Sequence, residues 1–155
     1  MYTSKANSFM TEEKLTLLLK QSRQKNSKQA ITGLLLYMEG RFLDRMEGRF
    51  IQLLEGQETA VRDMYAQIST DDRHRNILLL NTGNCTERNF PDWTMGFRSP
   101  DLHLNETLAG FLQLDDIFGV ERVHPRPAGL LNYFRSFYEI NQVDGLTRRH
   151  LSTRP

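Results

Sequence analysis

Phe50-Ile51-Gln52-Leu53-Leu54-Glu55-Gly56 decides how this chain of 155 residues is read. Two apolar pairs flank a single amide, and Glu55-Gly56 closes the run. A short apolar stretch bounded by a turn signal reads as a strand buried on both faces. The segment Ile31-Thr32-Gly33-Leu34-Leu35-Leu36-Tyr37 reads the same way. Gln52 is the anomaly in this pattern. A buried amide must find partners for two donors and an acceptor, or it costs about 1–3 kcal/mol.

The elements around these two strands follow from periodicity. Tyr2 and Thr3 favour a first strand over residues 1–5. Thr11 is a helix N-cap with Glu12 and Glu13 in the first turn, and Leu15, Leu18 and Leu19 recur at helical spacing until the pattern fades near Asn26. A second helix fits residues 58–69, with Val61, Met64, Tyr65 and Ile68 on one face. Residues 77–80 read as another buried strand and residues 93–97 as the last. The order predicts an α+β fold, a ferredoxin-like βαββαβ sheet with an extra strand. Two amphipathic stripes lie past Pro100: Leu104, Leu108, Phe111 and Leu112, then Leu130, Leu131, Phe134, Phe137 and Tyr138. They predict two C-terminal helices that cover the open face of the sheet and carry a signal or an oligomer contact. The expected organisation is a domain over 1–99, a two-helix extension over 100–143 and a polar tail over 144–155.

Composition narrows the function classes. Twenty basic against nineteen acidic residues leave a net charge of +1, whereas non-specific binding to nucleic acid or an anionic membrane calls for a basic excess. One cysteine, Cys85, allows no internal disulfide. No apolar run approaches the roughly 20 residues of a membrane span, and residues 1–6 lack a signal pattern. A cytoplasmic location is expected. The four histidines are scattered with no ligand spacing, so no metal site is expected. No phosphate-cradling glycine loop or nucleophile–base pair stands out, so no catalytic activity is expected.

Polar residues placed where a core should be apolar are more informative. Gln52 sits mid-strand, Asn26 ends the first helix, Tyr2 heads the first strand, and Trp93 and Met95 fall on the last. Singly, each has an ordinary reading as a cap, a satisfied core amide or packing. Together they describe an apolar slot with a few amides and a phenol, suited to a flat heteroaromatic ligand rich in acceptors.

These residues also carry a family likeness. Tyr2 to Ala6, Asn26 and residues 31–37 resemble the opening of a BLUF domain, a blue-light sensor that uses flavin. Residues 50–56 resemble that family's glutamine strand. Asp71-Asp72-Arg73-His74 resembles the motif after its second helix, and residues 88–97 are similar to its last strand. The resemblance implies a flavin (FAD, or alternatively FMN or riboflavin) held by Tyr2, Ser4, Asn26, Ile31, Gln52, Arg73 and His74. It implies that Tyr2 gives an electron and a proton to the excited flavin, and that Gln52 rotates or tautomerises. Asn26 would hold the flavin O4/N3 edge, Ile31 would pack on the ring, and Arg73 and His74 would lie near its ribityl or phosphate end. Trp93 and Met95 would alternate near Gln52 and relay its state. The short type of this family, with two terminal helices, implies a homo-oligomer and a separate downstream regulator protein as partner. The alternative is a flavin-free interaction module on a degenerate BLUF scaffold.

Two departures from the family pattern set expectations of their own. Only Met1 precedes Tyr2, so the first strand is expected to fray at its start. Met38-Glu39-Gly40-Arg41-Phe42 recurs as Met46-Glu47-Gly48-Arg49-Phe50, which leaves two candidates for the glutamine position. Counting forward from Asn26 reaches Asp44; counting back from the second helix reaches Gln52. A doubly buried strand accepts Phe-Ile-Gln-Leu-Leu better than Leu-Asp-Arg-Met, because unpaired buried charge is costly. Gln52 is therefore preferred, with residues 41–48 extending the hairpin or bulging from its tip. An even-numbered insertion keeps the side-chain faces in phase.

Overall fold

The computed structural model describes residues 1–42, 45–92, 95–98, 132–134 and 136–137. Its elements run β1 (Tyr2–Ala6), α1 (Glu12–Lys28), β2 (Thr32–Phe42), β3 (Arg45–Glu55), α2 (Glu58–Ser69), β4 (His74–Leu79) and β5 (Gly96–Arg98). The sheet order is β4-β1-β3-β2-β5. The first four strands form the ferredoxin-like arrangement, all pairs antiparallel, and β5 adds to β2 in parallel. The fold is α+β, as the order of periodic segments predicted.

The alternation of side chains along β2 and β3 divides the core in two. Leu35, Tyr37 and Phe50 pack with Ala6, Met10, Leu15, Leu18, Leu19 and Met95 on the face covered by α1. Leu34, Leu36, Met38, Ile51 and Leu53 pack with Phe90 and Phe134 on the other. α1 begins as its sequence predicted: the Thr11 hydroxyl accepts from Lys14 N, and Glu12 and Glu13 occupy the first turn. It ends where Asn26 O accepts from both Gln29 N and Ile31 N and Ala30 takes a positive φ of 51°. Close strand approach explains Gly33, whose φ is +156° and where a Cβ would stand 2.0 Å from Leu53 O.

The duplicated segment extends the hairpin by regular pairing. From Thr32↔Glu55 to Phe42↔Arg45 the register between β2 and β3 is unbroken, so the two copies of the repeat face each other across the ladder. The inserted turn of sequence is also packed. Tyr37 OH donates to Glu39 Oε1 at 2.8 Å and accepts from Met10 N at 3.0 Å, over Gly48, where a Cβ would meet that hydroxyl at 2.4 Å. Glu47 pairs with Lys5 and Arg49 at 2.8 and 3.1 Å.

Two expectations are corrected. The predicted buried strand over 77–80 is instead the edge strand β4, with Leu78 59% and Leu79 48% exposed. An apolar run signals burial only if the strand is central. Among the described residues β4 has one neighbour, and its pairing with β1 slips between Thr3 and Lys5. The start of β1 does not fray. Met1 O accepts from Leu80 N and Asn81 N at 3.0 and 3.2 Å, and the Met1 amine donates to Asn81 O at 2.7 Å. Of the expected two-helix extension, residues 132–134 and 136–137 are helical and Phe134 is buried; the rest of 100–143, and the tail over 144–155, lie outside the described residues.

Candidate functional site

Register brings the polar core residues together. Gln52 is directly opposite Tyr2 of β1 on one side and Leu35 of β2 on the other, so its amide projects from the middle of the sheet beneath the helices. It is 5% exposed. The Tyr2 hydroxyl donates to Gln52 Oε1, and Gln52 Nε2 donates to Met95 Sδ at 3.3 Å. A thioether is a weak acceptor. The amide nitrogen carries two hydrogens, and the sulfur is its one hydrogen-bond partner among the described residues. Gln52 thus keeps a donor available while its oxygen is occupied. Burial, followed by the negative potential of Asp71 and Tyr65, pushes the Tyr2 phenol well above its ordinary value. It holds its proton at neutral pH.

A cleft open to solvent at its mouth lies over this amide between α1 and α2. Leu18, Leu35, Met64 and Ile68 give it apolar walls; Asn26, Gln52, Gln21 and Gln67 supply amides; Lys25, Asp71, Arg73 and His74 also line it. The sequence explains the convergence. α1 places Leu18, Gln21 or Ser22, and Lys25 at spacings of three and four residues, on one face with Asn26. The turn after α2 delivers residues 71–74. There the Asp71 carboxylate is held to about pKa 2 by its hydrogen bonds with Arg73, whose Nη1 also donates to Gln21 Oε1 of α1 at 3.1 Å.

His74 closes one end. Its Nδ1 is 2.8 Å from Ser4 Oγ, and its ring lies 4.7 Å from that of Phe50 and 6.3 Å from that of Tyr2. Burial lowers its pKa to about 4, so it is neutral at pH 7. The positive charge of the site is left to Lys25 and Arg73.

Of the residues singled out from sequence, Asn26, Gln52, Arg73 and His74 line the cleft. Tyr2 and Ser4 stand behind it, bonded to Gln52 and His74. Ile31 is fully buried at the mouth of β2, near Gly56, and is not among the lining residues. Trp93 and Asp44 lie outside the described residues. Gln21, Lys25 and Gln67 were not singled out, and Asp71 was named only within its motif. The helical spacing from Leu18 to Lys25 carried a signal for the first two.

The donor set fits a flavin. Its ring system is flat and largely apolar with carbonyl and nitrogen edges, matching aliphatic walls interrupted by amides. Its polar tail matches a rim that carries Lys25 and the Arg73–Asp71 ion pair. The comparisons agree. Residues 1–96 match the family described as BLUF, sensors of blue-light using FAD, and the chain belongs to that family. It is 31% identical over 117 residues to the photoactivated adenylate cyclase subunit beta of Euglena gracilis, an alignment covering 75% of this chain and 12% of the cyclase. The chain thus spans 12% of the length of the curated relatives it matches. Among solved structures it is similar to BlrB, a BLUF protein in its dark state, with TM-score 0.57 and 31% identity over 64% of this chain and 70% of that one. A bacterial light-regulated adenylyl cyclase gives TM-score 0.55 and 26% identity over 92% of this chain and 33% of that chain. Among the described residues no helix is long and apolar enough to cross a membrane.

Proposed function

We propose that this chain is a blue-light photoreceptor in which Gln52 is the switch, and that it signals by contact without catalytic turnover. The observation that carries the reading is the placement of one buried amide between a phenol and a thioether in the floor of the cleft. Bound flavin supplies absorption of blue light and an oxidising excited state. Leu18, Leu35, Met64 and Ile68 exclude water around the ring, Asn26 and Gln52 meet its polar edge, and Lys25 and Arg73 attract its tail.

Tyr2 is the group placed to yield an electron. Its raised pKa keeps the proton on the phenol until the electron leaves, and the hydroxyl already donates to Gln52 Oε1. A proton arriving on that oxygen lets the amide tautomerise or turn over. The two ends of Gln52 are chemically different, so reversal exchanges the donor and acceptor it presents to the cleft. The same reversal turns the N–H that faces Met95 into an oxygen, and two acceptors then confront each other. In a low-dielectric core a change of one hydrogen bond can bias a neighbouring two-state element by about 1–3 kcal/mol. Met95 immediately precedes β5, which pairs with β2 at Leu34, Leu35 and Leu36. The output surface is β5 together with the C-terminal segment that carries Phe134, a reading supported by the burial of Phe134 against the second face of the sheet. Its receiver is a separate regulator protein, and the chain assembles as a homo-oligomer in a cytoplasmic setting.

An absorption spectrum of purified full chain loaded with FAD, before and after blue light, tests the reading. A reversible red shift of the flavin band is expected. A colourless protein that does not take up added FAD, FMN or riboflavin contradicts it in favour of a flavin-free interaction module.

A further inference from the structure

Arg23 lies three residues before Asn26 on α1, so the two side chains leave neighbouring positions of one helix face. Its Nε donates to the backbone carbonyl of Met95 at 3.0 Å. Met95 is 1% exposed, and its sulfur is the atom that accepts from Gln52 Nε2. Arg23 Nη2 is buried and has no hydrogen-bond partner among the described residues. Burial also lowers the pKa of the guanidinium. A desolvated cation anchored to a carbonyl loses a charge-assisted bond when that carbonyl moves away. The carbonyl and the sulfur belong to one residue, so the bond from α1 restrains how far the sulfur can move from the amide.

We propose that Arg23 is a positioning residue that holds Met95 against Gln52 and sets the balance between Met95 engaged and Met95 withdrawn. The proposal rests on the sensing mechanism above, in which reversal of Gln52 turns its contact with sulfur from attractive to repulsive. Withdrawal of Met95 then relieves that repulsion, and Arg23 opposes it. The residue therefore sits between the helix that supplies Asn26 and the strand that leads to the output surface. Neither its spacing nor its type marks it in the sequence, because its acceptor is a main-chain atom 72 residues away.

The test uses the full chain loaded with FAD, kept dark and labelled with 13C at the methionine methyls. In the wild type the Met95 methyl gives one dominant resonance. Arg23→Leu removes the donor without adding a labelled methyl and is expected to raise the minor Met95 form about tenfold relative to the major one, the equivalent of about 1.4 kcal/mol and the size of one hydrogen bond to a charged group. Arg23→Lys keeps a cationic donor and falls between the two. Met64, which lines the same cleft from α2, and Met10, in the core beside α1, keep their wild-type shifts. If Arg23→Leu does not fold, Arg23→Ala, which also lacks a donor, serves in its place with the same expectation. The spectra are repeated after FAD is removed, where the Met95 response is expected to persist because both bonded groups belong to the chain. A protein that failed to respond to light would leave that readout intact, so the two failures are separable. An unchanged Met95 resonance in the variant overturns the proposal, as does an equal disturbance of Met10, Met64 and Met95, which would mark general loosening.

Discussion

Glu55 ends β3 with a carboxylate that is 5% exposed, and replacing it by alanine should cost about 3 kcal/mol. Its Oε1 accepts from Asn89 N at 2.9 Å and from Asn89 Nδ2, and its Oε2 accepts from Phe90 N at 2.9 Å. Asn89 and Phe90 are 7% and 2% exposed, so Glu55→Ala strands two backbone N–H groups away from water. Each orphaned donor costs about 1–3 kcal/mol, and a loop that relaxes part way leaves a total in the lower half of the summed range, about 3 kcal/mol. Glu55→Gln keeps one oxygen for Asn89 but turns an amide N–H toward Phe90 N. It should lose about half as much. With a urea slope of about 2 kcal/mol per molar for a domain of this size, the midpoints should fall by about 1.5 M and 0.8 M. Neither variant alters the cleft lining, so the folded fraction of each should still take up FAD. Midpoints within about 0.3 M of wild type, or equal for the two variants, would show that the carboxylate does not clamp this segment.

Two further perturbations read other parts of the fold. Gly33→Ala drives a Cβ to 2.0 Å from Leu53 O at a φ of +156°, and backbone cannot step aside inside a paired ladder. A loss of at least about 3 kcal/mol, or about 10 °C in Tm, should appear in thermal melts followed by circular dichroism, and an unchanged Tm would contradict the strand register. His74 has an ordinary pKa of 6.5 that burial lowers to about 4. The unfolded chain therefore binds a proton that the folded one refuses. Stability from this group is complete above about pH 6.5 and falls as pH drops toward 4, by roughly 2 kcal/mol at pH 5. Urea midpoints at pH 7 and pH 5 should differ accordingly, and His74→Gln should flatten that difference; the same slope in both proteins would refute the assignment to His74.

What the sequence made legible depended on whether the deciding interaction was local. α2 was found at its observed bounds because Val61, Met64, Tyr65 and Ile68 declare one face by spacing alone. The choice of Gln52 over Asp44 rested on the cost of burying charge in a central strand, and Gln52 does lie at the centre of the sheet. β3 nonetheless begins at Arg45, well before the apolar run, because eleven residues of pairing with β2 outweigh the poor strand propensities of Arg45, Glu47 and Gly48. Ile77, Leu78 and Leu79 misled, since composition cannot say whether a strand is central or at an edge. The site was legible as a set of misplaced polar groups. Its supports were not, because Arg23 reaches Met95 O and Glu55 reaches Asn89 and Phe90 through contacts that only the tertiary fold creates.

The asymmetry of the Gln52 amide is what the proposed mechanism stands on, and a leucine at that position removes it while preserving bulk and burial. The decisive measurement is a light-minus-dark difference spectrum of Gln52→Leu loaded with FAD, recorded beside the wild type. The variant should retain the yellow cofactor, since the aliphatic walls, Asn26, Lys25 and Arg73 are untouched, and should show no red shift where the wild type shows a reversible one. A shift of wild-type size in the leucine variant would contradict the assignment of the switch to this side chain.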